Sequence, residues 1–202
     1  HVLTDDAACT AYGADALKRG ARADVVVLPA GTDEISRIAR LCTATRTPMV
    51  PRGGGTGYTG GSEPMQGGVV ISLERLNLII DIDELNLLAV VEPNVITGDL
   101  QDAVEARGLF YPPDPASLRQ SVIGGNVAEN AGGPRAFKYG VTKAYVLGLE
   151  AVLPNGDVIR TGGKVVKNVV GYDLTQLLTG SEGTLAIITK ITLRLLPKPP
   201  VQ

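Results

Sequence analysis

Residues 51–61 read PRGGGTGYTGG and follow Thr47–Val50, a short apolar stretch that predicts a β-strand. Six of these eleven residues are glycine, and glycine loses more conformational freedom on folding than any other residue. Such density indicates a backbone that lies very close to a bulky group and presents its N–H groups to it. Because successive N–H groups in a tight loop form an anion-binding concavity, this glycine loop predicts a site for a phosphate or pyrophosphate.

Two more glycine-containing segments lie downstream. They are the second glycine cluster, IGGNVAENAGG at Ile123–Gly133, and GSEGTLAII at Gly180–Ile188. Three such segments in one small chain predict a large phosphorylated cofactor that several loops contact. The second cluster has no helical or strand period, and the amides of Asn126 and Asn130 suit the edge of a heteroaromatic ring. The alternative is two consecutive turns with asparagine as a turn residue.

A dinucleotide site of the Rossmann type is the first alternative to exclude. Residues 55–60 satisfy G-x-G-x-x-G, and Asp81 follows about 20 residues later, as in that fingerprint. The fingerprint requires a helix directly after the loop, however, and Pro64, Gly67 and Gly68 disfavour one here. A P-loop is excluded because no Gly-Lys-Ser/Thr follows.

Without a helix, the loop amides themselves have to bind the phosphate. The N–H donors would come from Gly53, Gly54, Gly55, Thr56 and Gly57. The Thr56 hydroxyl adds a donor, and Arg52 adds either charge at the phosphate or a surface or inter-lobe salt bridge. The alternative for the whole loop is a turn between lobes.

Composition excludes several classes of protein. Of the 202 residues, 44% are hydrophobic and 20% charged, with a net charge of −2, which suits a folded domain and offers no basic surface for nucleic acid. No apolar run is long enough to span a bilayer, and the start lacks the order of a signal peptide. Cys9 and Cys42 show no metal-ligand spacing and are expected to be reduced core residues. We therefore expect a cytoplasmic protein, peripheral to a membrane only through a partner.

The only histidine is His1. The chain therefore offers no interior histidine as a general base, a metal ligand or a point of cofactor attachment. We predict no metal site and name no catalytic residue.

The periodicity predicts an α+β fold with mixed sheets. Strands are predicted at Asp24–Pro29, Met49–Pro51, Val69–Leu73, Leu78–Asp81, Leu87–Glu92, Leu147–Pro154, Val158–Thr161 and Leu185–Leu195. Helices are predicted at Asp33–Thr45, from Thr97 to about Ala106, and at Asp173–Thr179, with Thr32 and Thr97 as N-caps. Asn155-Gly156 predicts a hairpin turn.

Several side chains receive specific expectations. The first predicted helix would bury Ile35, Ile38, Leu41 and Cys42, and the next would bury Leu100, Ala103 and Val104. The proline-rich stretch Tyr111–Ser121 is incompatible with a helix or a central strand, and Asp114 would anchor that stretch by Asx-type bonding. Tyr139 and Tyr172 would pack in the core or, alternatively, on a cofactor ring. Residues 1–75 would form a first lobe and 76–202 a second, with Lys198–Gln202 as the start of a linker.

Five motifs, taken together, resemble those of one family. They are PRGGGTGYTGG, PPDPAS, SVIGGNVAENAGG, KYG and LLTGSEGTLAIITKITLRLLPKPP. In this order they are similar to the FAD-linked oxidases of the vanillyl-alcohol oxidase / p-cresol methylhydroxylase (PCMH) superfamily. The likeness is strongest to the FAD-binding subunit of bacterial glycolate oxidase and to FAD-dependent D-lactate dehydrogenases, and it extends from about Ala23 to Pro200.

The resemblance implies a two-lobed PCMH-type domain with FAD between the lobes. Pro51–Gly57 would hold the pyrophosphate, Asp114–Gly124 would line the other side, Gly125–Gly133 would approach the flavin and ribityl, and Glu182–Ile188 would meet the adenosine. The residues assigned to FAD in this way are Pro51, Arg52, Gly53, Gly54, Gly55, Thr56, Gly57, Pro113, Asp114, Ser117, Ser121, Ile123, Gly124, Gly125, Asn126, Ala128, Gly132, Gly133, Glu182, Gly183, Ile187 and Ile188.

Two departures from the family pattern matter. Some relatives attach flavin to a histidine in or near the loop, and the absence of one here implies non-covalent FAD. In the family, a substrate-binding cap domain follows the FAD domain, and this chain stops at that junction. The chain is therefore expected to bind FAD without turning over substrate alone.

The implied activity of the parent protein is hydride transfer from a 2-hydroxy acid to the flavin, giving the 2-oxo acid, with the electrons passed to an iron–sulfur or other electron-transfer subunit. Three alternatives remain open. The substrate can be different, such as D-2-hydroxyglutarate, an alkyl-glycerone phosphate or an aldonolactone. The chain can be a FAD-binding electron-relay subunit without turnover, or a module for another nucleotide.

Overall fold

The computed structural model describes residues 1–200; Val201 and Gln202, the end of the predicted linker, lie outside the described residues. The helices are α1 (Asp6–Tyr12), α2 (Thr32–Thr45), α3 (Thr97–Glu105), α4 (Ile123–Glu129), α5 (Ala136–Tyr139) and α6 (Leu174–Leu178), with a 3-10 turn at Thr142–Tyr145. The strands are β1 (Val2–Leu3), β2 (Val25–Val27), β3 (Met49–Arg52), β4 (Val69–Ser72), β5 (Ile79–Asp83), β6 (Leu88–Val91), β7 (Leu109–Phe110), β8 (Val146–Val152), β9 (Val158–Gly162), β10 (Ile187–Arg194) and β11 (Leu196–Pro197).

The first sheet has the order β1-β2-β4-β3. β2 and β3 are joined by α2, but both pair with β4 in parallel, so β4 lies between them. β2 and β4 are apolar runs with Val26 and Val70 fully buried, as strands buried in a parallel sheet require. Because parallel strands end at one edge, the glycine loop leaves β3 beside the end of β4.

The second sheet is antiparallel, with the order β5-β6-β10-β8-β9. The β8–β9 connection is the predicted Asn155-Gly156 turn, where Gly156 has a φ of 86°. The main hydrophobic core lies on this sheet. It contains Ile191 and Leu193 of β10, Leu100 and Val104 of α3, and Val127 of α4.

Helix α2 packs between the two sheets. Its Ile35 and Ala39 share a buried cluster with Ile71 of β4, Val152 of β8 and Ile187 of β10. Three hydroxyls of the helix bond to the second sheet: Thr32 Oγ1 donates to Glu150, Ser36 Oγ to the Gly156 carbonyl and Thr43 Oγ1 to the Pro154 carbonyl. These contacts fix the spacing between the sheets that flank the site.

The second glycine cluster was predicted to have no helical period, and this prediction was wrong, because its first seven residues form α4. The helix begins with two glycines among its first three residues, which lowers its intrinsic propensity. Burial of Ile123 and Val127, four residues apart on one face, provides the stabilisation. Asn130 ends the helix in the left-handed region with a φ of 52°.

Three smaller expectations were also wrong. Thr32 and Thr97 are the first residues of their helices rather than N-caps, since Thr32 donates to Glu150 and Thr97 to the Ser121 carbonyl. Leu41 is 64% exposed. Ser36 and Ala39 occupy the buried face of α2 together with Ile35 and Cys42.

Candidate cofactor-binding site

A cavity of about 780 Å³ opens between the glycine loop and the second sheet. Its walls are the glycine loop, the stretch Pro115–Val122, the second glycine cluster and Glu182–Ile188. The volume lies within the range of small-molecule and cofactor sites. The three glycine-containing segments that the sequence singled out therefore meet around one space.

The glycine loop contributes free hydrogen-bond donors to this cavity. The backbone N–H groups from Gly53 to Thr59, seven in a row, donate no hydrogen bond to any atom of residues 1–200. Gly55 and Gly60 turn the loop with φ values of 62° and 81°, conformations that favour glycine. Unpaired amides in such a loop form a concavity that suits an anion.

The loop also needs glycine in order to fit against the opposite wall. A Cβ added to Gly53 would lie 2.8 Å from Cγ2 of Val122, and one added to Gly54 would lie 2.9 Å from the Gln120 carbonyl oxygen. A Cβ on Gly57 would strike the carboxylate of Glu129. The loop therefore lies in van der Waals contact with the second wall along much of its length.

Two asparagines at the wall formed by α4, Asn126 and Asn130, hydrogen-bond within the protein. Asn126 Nδ2 donates to Thr97 Oγ1 at 2.6 Å, and that hydroxyl donates to the Ser121 carbonyl. Asn130 Oδ1 accepts from the Lys143 N–H. Both asparagines therefore support the fold, and Asn126 also lines the cavity.

Glu182–Ile188, called the third wall below, contacts the glycine loop through Gly183 and through the carboxylate of Glu182. A Cβ on Gly183, whose φ is 74°, would lie 2.7 Å from Cγ of Pro51. Glu182 accepts a hydrogen bond from Thr59 Oγ1 at 2.9 Å. Beyond these, Ala186, Ile187 and Ile188 line the cavity but are largely buried.

Four charged side chains line the cavity: Arg52, Arg119, Glu129 and Glu182. Arg52 donates to the Ala14 carbonyl at 2.6 Å and to Ser62, and burial lowers its pKa. No carboxylate of the described residues forms an ion pair with Arg52, so of the two alternatives for this residue the salt bridge is not borne out. Arg119 forms an ion pair with Asp102. Arg119 is therefore paired, whereas within residues 1–200 Arg52 keeps an unpaired charge beside Gly55 of the glycine loop.

Of the residues that the sequence analysis assigned to FAD, all but Pro113, Asp114 and Ile123 line the cavity. Ile123 is fully buried in the core. The Pro113 carbonyl accepts from Gln101. Asp114 accepts from the Arg135 N–H and forms an ion pair with its side chain, so the Asx-type self-bonding expected of it was also wrong.

Two wall residues, Leu73 and Pro93, carried no signal in the sequence. They follow β4 and β6 and reach the cavity only because the sheets place them there. Tyr58 and Gly60–Ser62 were recognisable as part of the motif or its continuation but received no assignment. Tyr139 packs on Phe110 edge-to-face at 5.5 Å, as expected of a core residue, whereas Tyr172 is 96% exposed.

Other kinds of site are not supported by the described residues. Within residues 1–200 no helix is long and apolar enough to cross a membrane. In the same range no group of three or more His, Cys, Asp or Glu residues is arranged to hold a metal ion. Cys9 and Cys42 are free and buried.

Comparison with known proteins identifies the class. The model of the FAD binding domain family matches residues 23–162, and the chain belongs to that family. It is 58% identical over 87% of its length to a protein named glycolate oxidase subunit GlcD from Bacillus subtilis (strain 168), covering 37% of that protein. It is 43% identical over 89% of its length to a D-lactate dehydrogenase from Anaerostipes hadrus, covering 38%.

The fold itself matches a solved structure. An alkyldihydroxyacetonephosphate synthase superposes with a TM-score of 0.85 over 99% of this chain and 38% of that one, at 23% identity. The α+β FAD-binding architecture that the resemblance implied is therefore confirmed. The chain spans well under half the length of these relatives.

FAD fits the residues present. Its pyrophosphate is a compact anion rich in acceptors, and the run of amides from Gly53 to Thr59 supplies unpaired donors. Ala186, Ile187 and Ile188 also line the cavity, although their side chains are largely buried in the core. The cavity thus offers donors for the pyrophosphate in a space of cofactor size.

Proposed function

We propose that this chain is the FAD-binding portion of an oxidoreductase that converts a 2-hydroxy acid, of the glycolate or D-lactate type, into the 2-oxo acid. The observation that carries the proposal is the set of unpaired amides at Gly53–Thr59 inside a cavity of cofactor size. The 58% identity to a glycolate oxidase subunit supports the choice of substrate class.

In this proposal the 22 residues assigned from the sequence divide by structural role. The amides of Gly53–Gly57 bind the pyrophosphate, and Gly183 lets Pro51 close against the third wall. Ile187 and Ile188 pack on the cofactor. Pro113, Asp114 and Ile123 act from behind the wall by holding its backbone in place. Bound FAD supplies the two-electron acceptor.

The chain's residues orient the cofactor rather than move substrate protons. The only histidine is His1, and we assign no acid or base to the chain. We propose that residues 1–75 and 76–202 belong to two lobes of the domain. The substrate groups are proposed to come from a further cap domain, as the greater length of the relatives suggests.

The test is a visible absorption spectrum of the purified chain, followed by acid precipitation and mass spectrometry of the supernatant. Flavin bands and a released mass equal to that of FAD are expected, with no flavin on the pellet because the chain has no interior histidine to attach it. A colourless chain that takes up no added FAD contradicts the placement of FAD. Turnover of glycolate, D-lactate and D-2-hydroxyglutarate by a protein that carries both this chain and the proposed cap domain then decides the substrate.

A second candidate function is that of an electron-relay subunit. It is favoured by one observation, that the relative with 58% identity is named as a subunit. A FAD-loaded protein that oxidises no hydroxy acid until an iron–sulfur or other electron-transfer protein is added supports this candidate. We also propose a cytoplasmic location, which the two free buried cysteines favour.

A further inference from the structure

The wall around the amide run carries two carboxylates where a cofactor anion is expected. Glu129, at the end of α4, places its carboxylate against Gly57, near the middle of the run of unpaired amides. Glu182 lies close to Gly61 and accepts from Thr59 at the far end of the same loop. Both side chains line the cavity. An anion bound by these amides would therefore lie beside Glu129.

Among the described residues no cation of the wall pairs with Glu129. The guanidinium of Arg52 lies against Gly55 and hydrogen-bonds to the neutral Ala14 carbonyl and Ser62 hydroxyl, and Arg119 forms an ion pair with Asp102. Glu182 is held by a neutral hydroxyl rather than by a cation. Within the described residues no salt bridge involves Glu129 or Glu182, so neither carboxylate is neutralised by a partner.

The surroundings of the Glu129 carboxylate disfavour its ionised form. Burial, and after it the charge of Glu182, raises the pKa of Glu129. A bound cofactor would displace water from Glu129 and bring a second negative group, and both changes disfavour the ionised carboxylate further. Protonation removes the repulsion and turns an acceptor into a hydrogen-bond donor.

We propose that Glu129 is a cofactor-binding residue that takes up a proton when FAD binds and contacts it as the neutral carboxylic acid. The proposal rests on the placement of FAD in the cavity. It makes FAD affinity depend on pH through one residue. Because the sole histidine is His1, no interior histidine contributes a competing titration near neutral pH.

The test measures the dissociation constant of FAD for this chain across about pH 5 to 8 by flavin fluorescence, a range in which one linked proton gives up to about a tenfold change per pH unit. Calorimetry in two buffers of different ionisation enthalpy counts the protons. We expect affinity to fall as pH rises, with proton uptake on binding.

Two variants test whether Glu129 causes the pH dependence of FAD affinity. Glu129→Gln, a neutral isostere, should bind FAD with nearly the same affinity at all these pH values and take up no proton. Glu182→Gln removes the charge that raises the Glu129 pKa and should shift the affinity profile to lower pH. The control, Glu84→Gln, changes an exposed carboxylate of the β5–β6 turn. Its FAD affinity should depend on pH in the same way as that of the unmodified chain.

Each other outcome overturns the proposal. An affinity that is independent of pH, or a pH dependence that persists in Glu129→Gln while thermal melting shows a folded variant, refutes the role of Glu129. Affinity that responds to added Mg²⁺ but not to pH means that a cation, not a proton, neutralises the carboxylates. Failure of FAD to bind at every pH refutes the placement of FAD as well, and so is distinguishable from failure of the proton linkage alone.

Discussion

In the glycine loop the amides from Gly53 to Thr59 donate no hydrogen bond within the described residues, whereas in the second glycine cluster Ile123 and Gly124 donate to Val95 and Pro93. The loop uses glycine to expose its backbone and to turn at positive φ. The cluster uses glycine to bring a helix into contact with a neighbouring turn. The same residue type thus has two roles on facing walls of one cavity: it leaves hydrogen-bond donors free on one side and allows close packing on the other.

The largest effect is expected from Gly55→Val in the glycine loop. The φ of 62° and the contact of the new side chain with Arg52 would displace the amides, and losing about two charge-assisted hydrogen bonds weakens binding by ~100-fold. Titration of each variant with FAD measures this loss of affinity. The control Gly108→Val introduces similar strain at a φ of 72° in open space away from the cavity and should leave FAD affinity unchanged. Equal losses in both variants would contradict the binding role of the loop.

Gly124→Ala tests the packing role of the second cluster. The new Cβ would lie 2.6 Å from Cβ of Pro93 and 2.9 Å from its carbonyl oxygen, and such overpacking costs about 1–3 kcal/mol of unfolding free energy. The neighbouring Gly125→Ala is the matched control, because its Cβ meets only Val122 at 3.6 Å. Urea unfolding without FAD should separate the two variants. If both are equally stable, glycine is not required at Gly124 for packing.

A smaller effect is expected from Thr97→Val, which removes the hydroxyl that Asn126 and Ser121 share beneath the cavity wall. An unpaired buried amide costs about 1–2 kcal/mol. Because Thr97 does not line the cavity, the loss should appear in urea unfolding and leave the intrinsic affinity of the folded protein for FAD largely intact. A large loss of affinity with unchanged stability would show that Asn126 serves the cofactor directly.

The smallest effect is expected from salt. Neutral amides hold the pyrophosphate in this account, Arg119 is paired with Asp102, and the charge of Arg52 beside Gly55 is partly buried and therefore weakly screened. The dissociation constant of FAD should therefore change by less than about threefold between ~0.05 and ~0.5 M salt, since only exposed charge pairs are strongly screened. A steep rise with salt would mean that one of these arginines leaves its partner to bind the phosphate.

Local patterns predicted much of the fold. Most strands, α3, α6 and the β8–β9 turn follow from runs of Val, Ile and Leu and from turn residues, since these signals act over a few positions. Helix α4 could not be predicted because its two glycines argue against a helix, and burial of Ile123 and Val127 outweighs that preference. The roles of Thr32 and Thr97 depend on partners 118 and 24 residues away, which no local pattern contains.

In the candidate site, too, contiguous motifs were predictable and contacts between distant residues were not. The glycine loop and the third wall were predictable because each is a contiguous motif. Leu73 and Pro93 were not, because the sheets alone bring them to the cavity. Asp114 was misjudged because its partner, Arg135, lies 21 residues further along the chain.

The central claim is that the free amides of Gly53–Thr59 hold FAD. Hydrogen–deuterium exchange of the chain with and without FAD tests it most directly. The account predicts that FAD slows exchange at Gly53–Thr59, while amides within α4, already paired in the helix, change little. Unchanged exchange at Gly53–Thr59 when FAD is bound at saturation would contradict it.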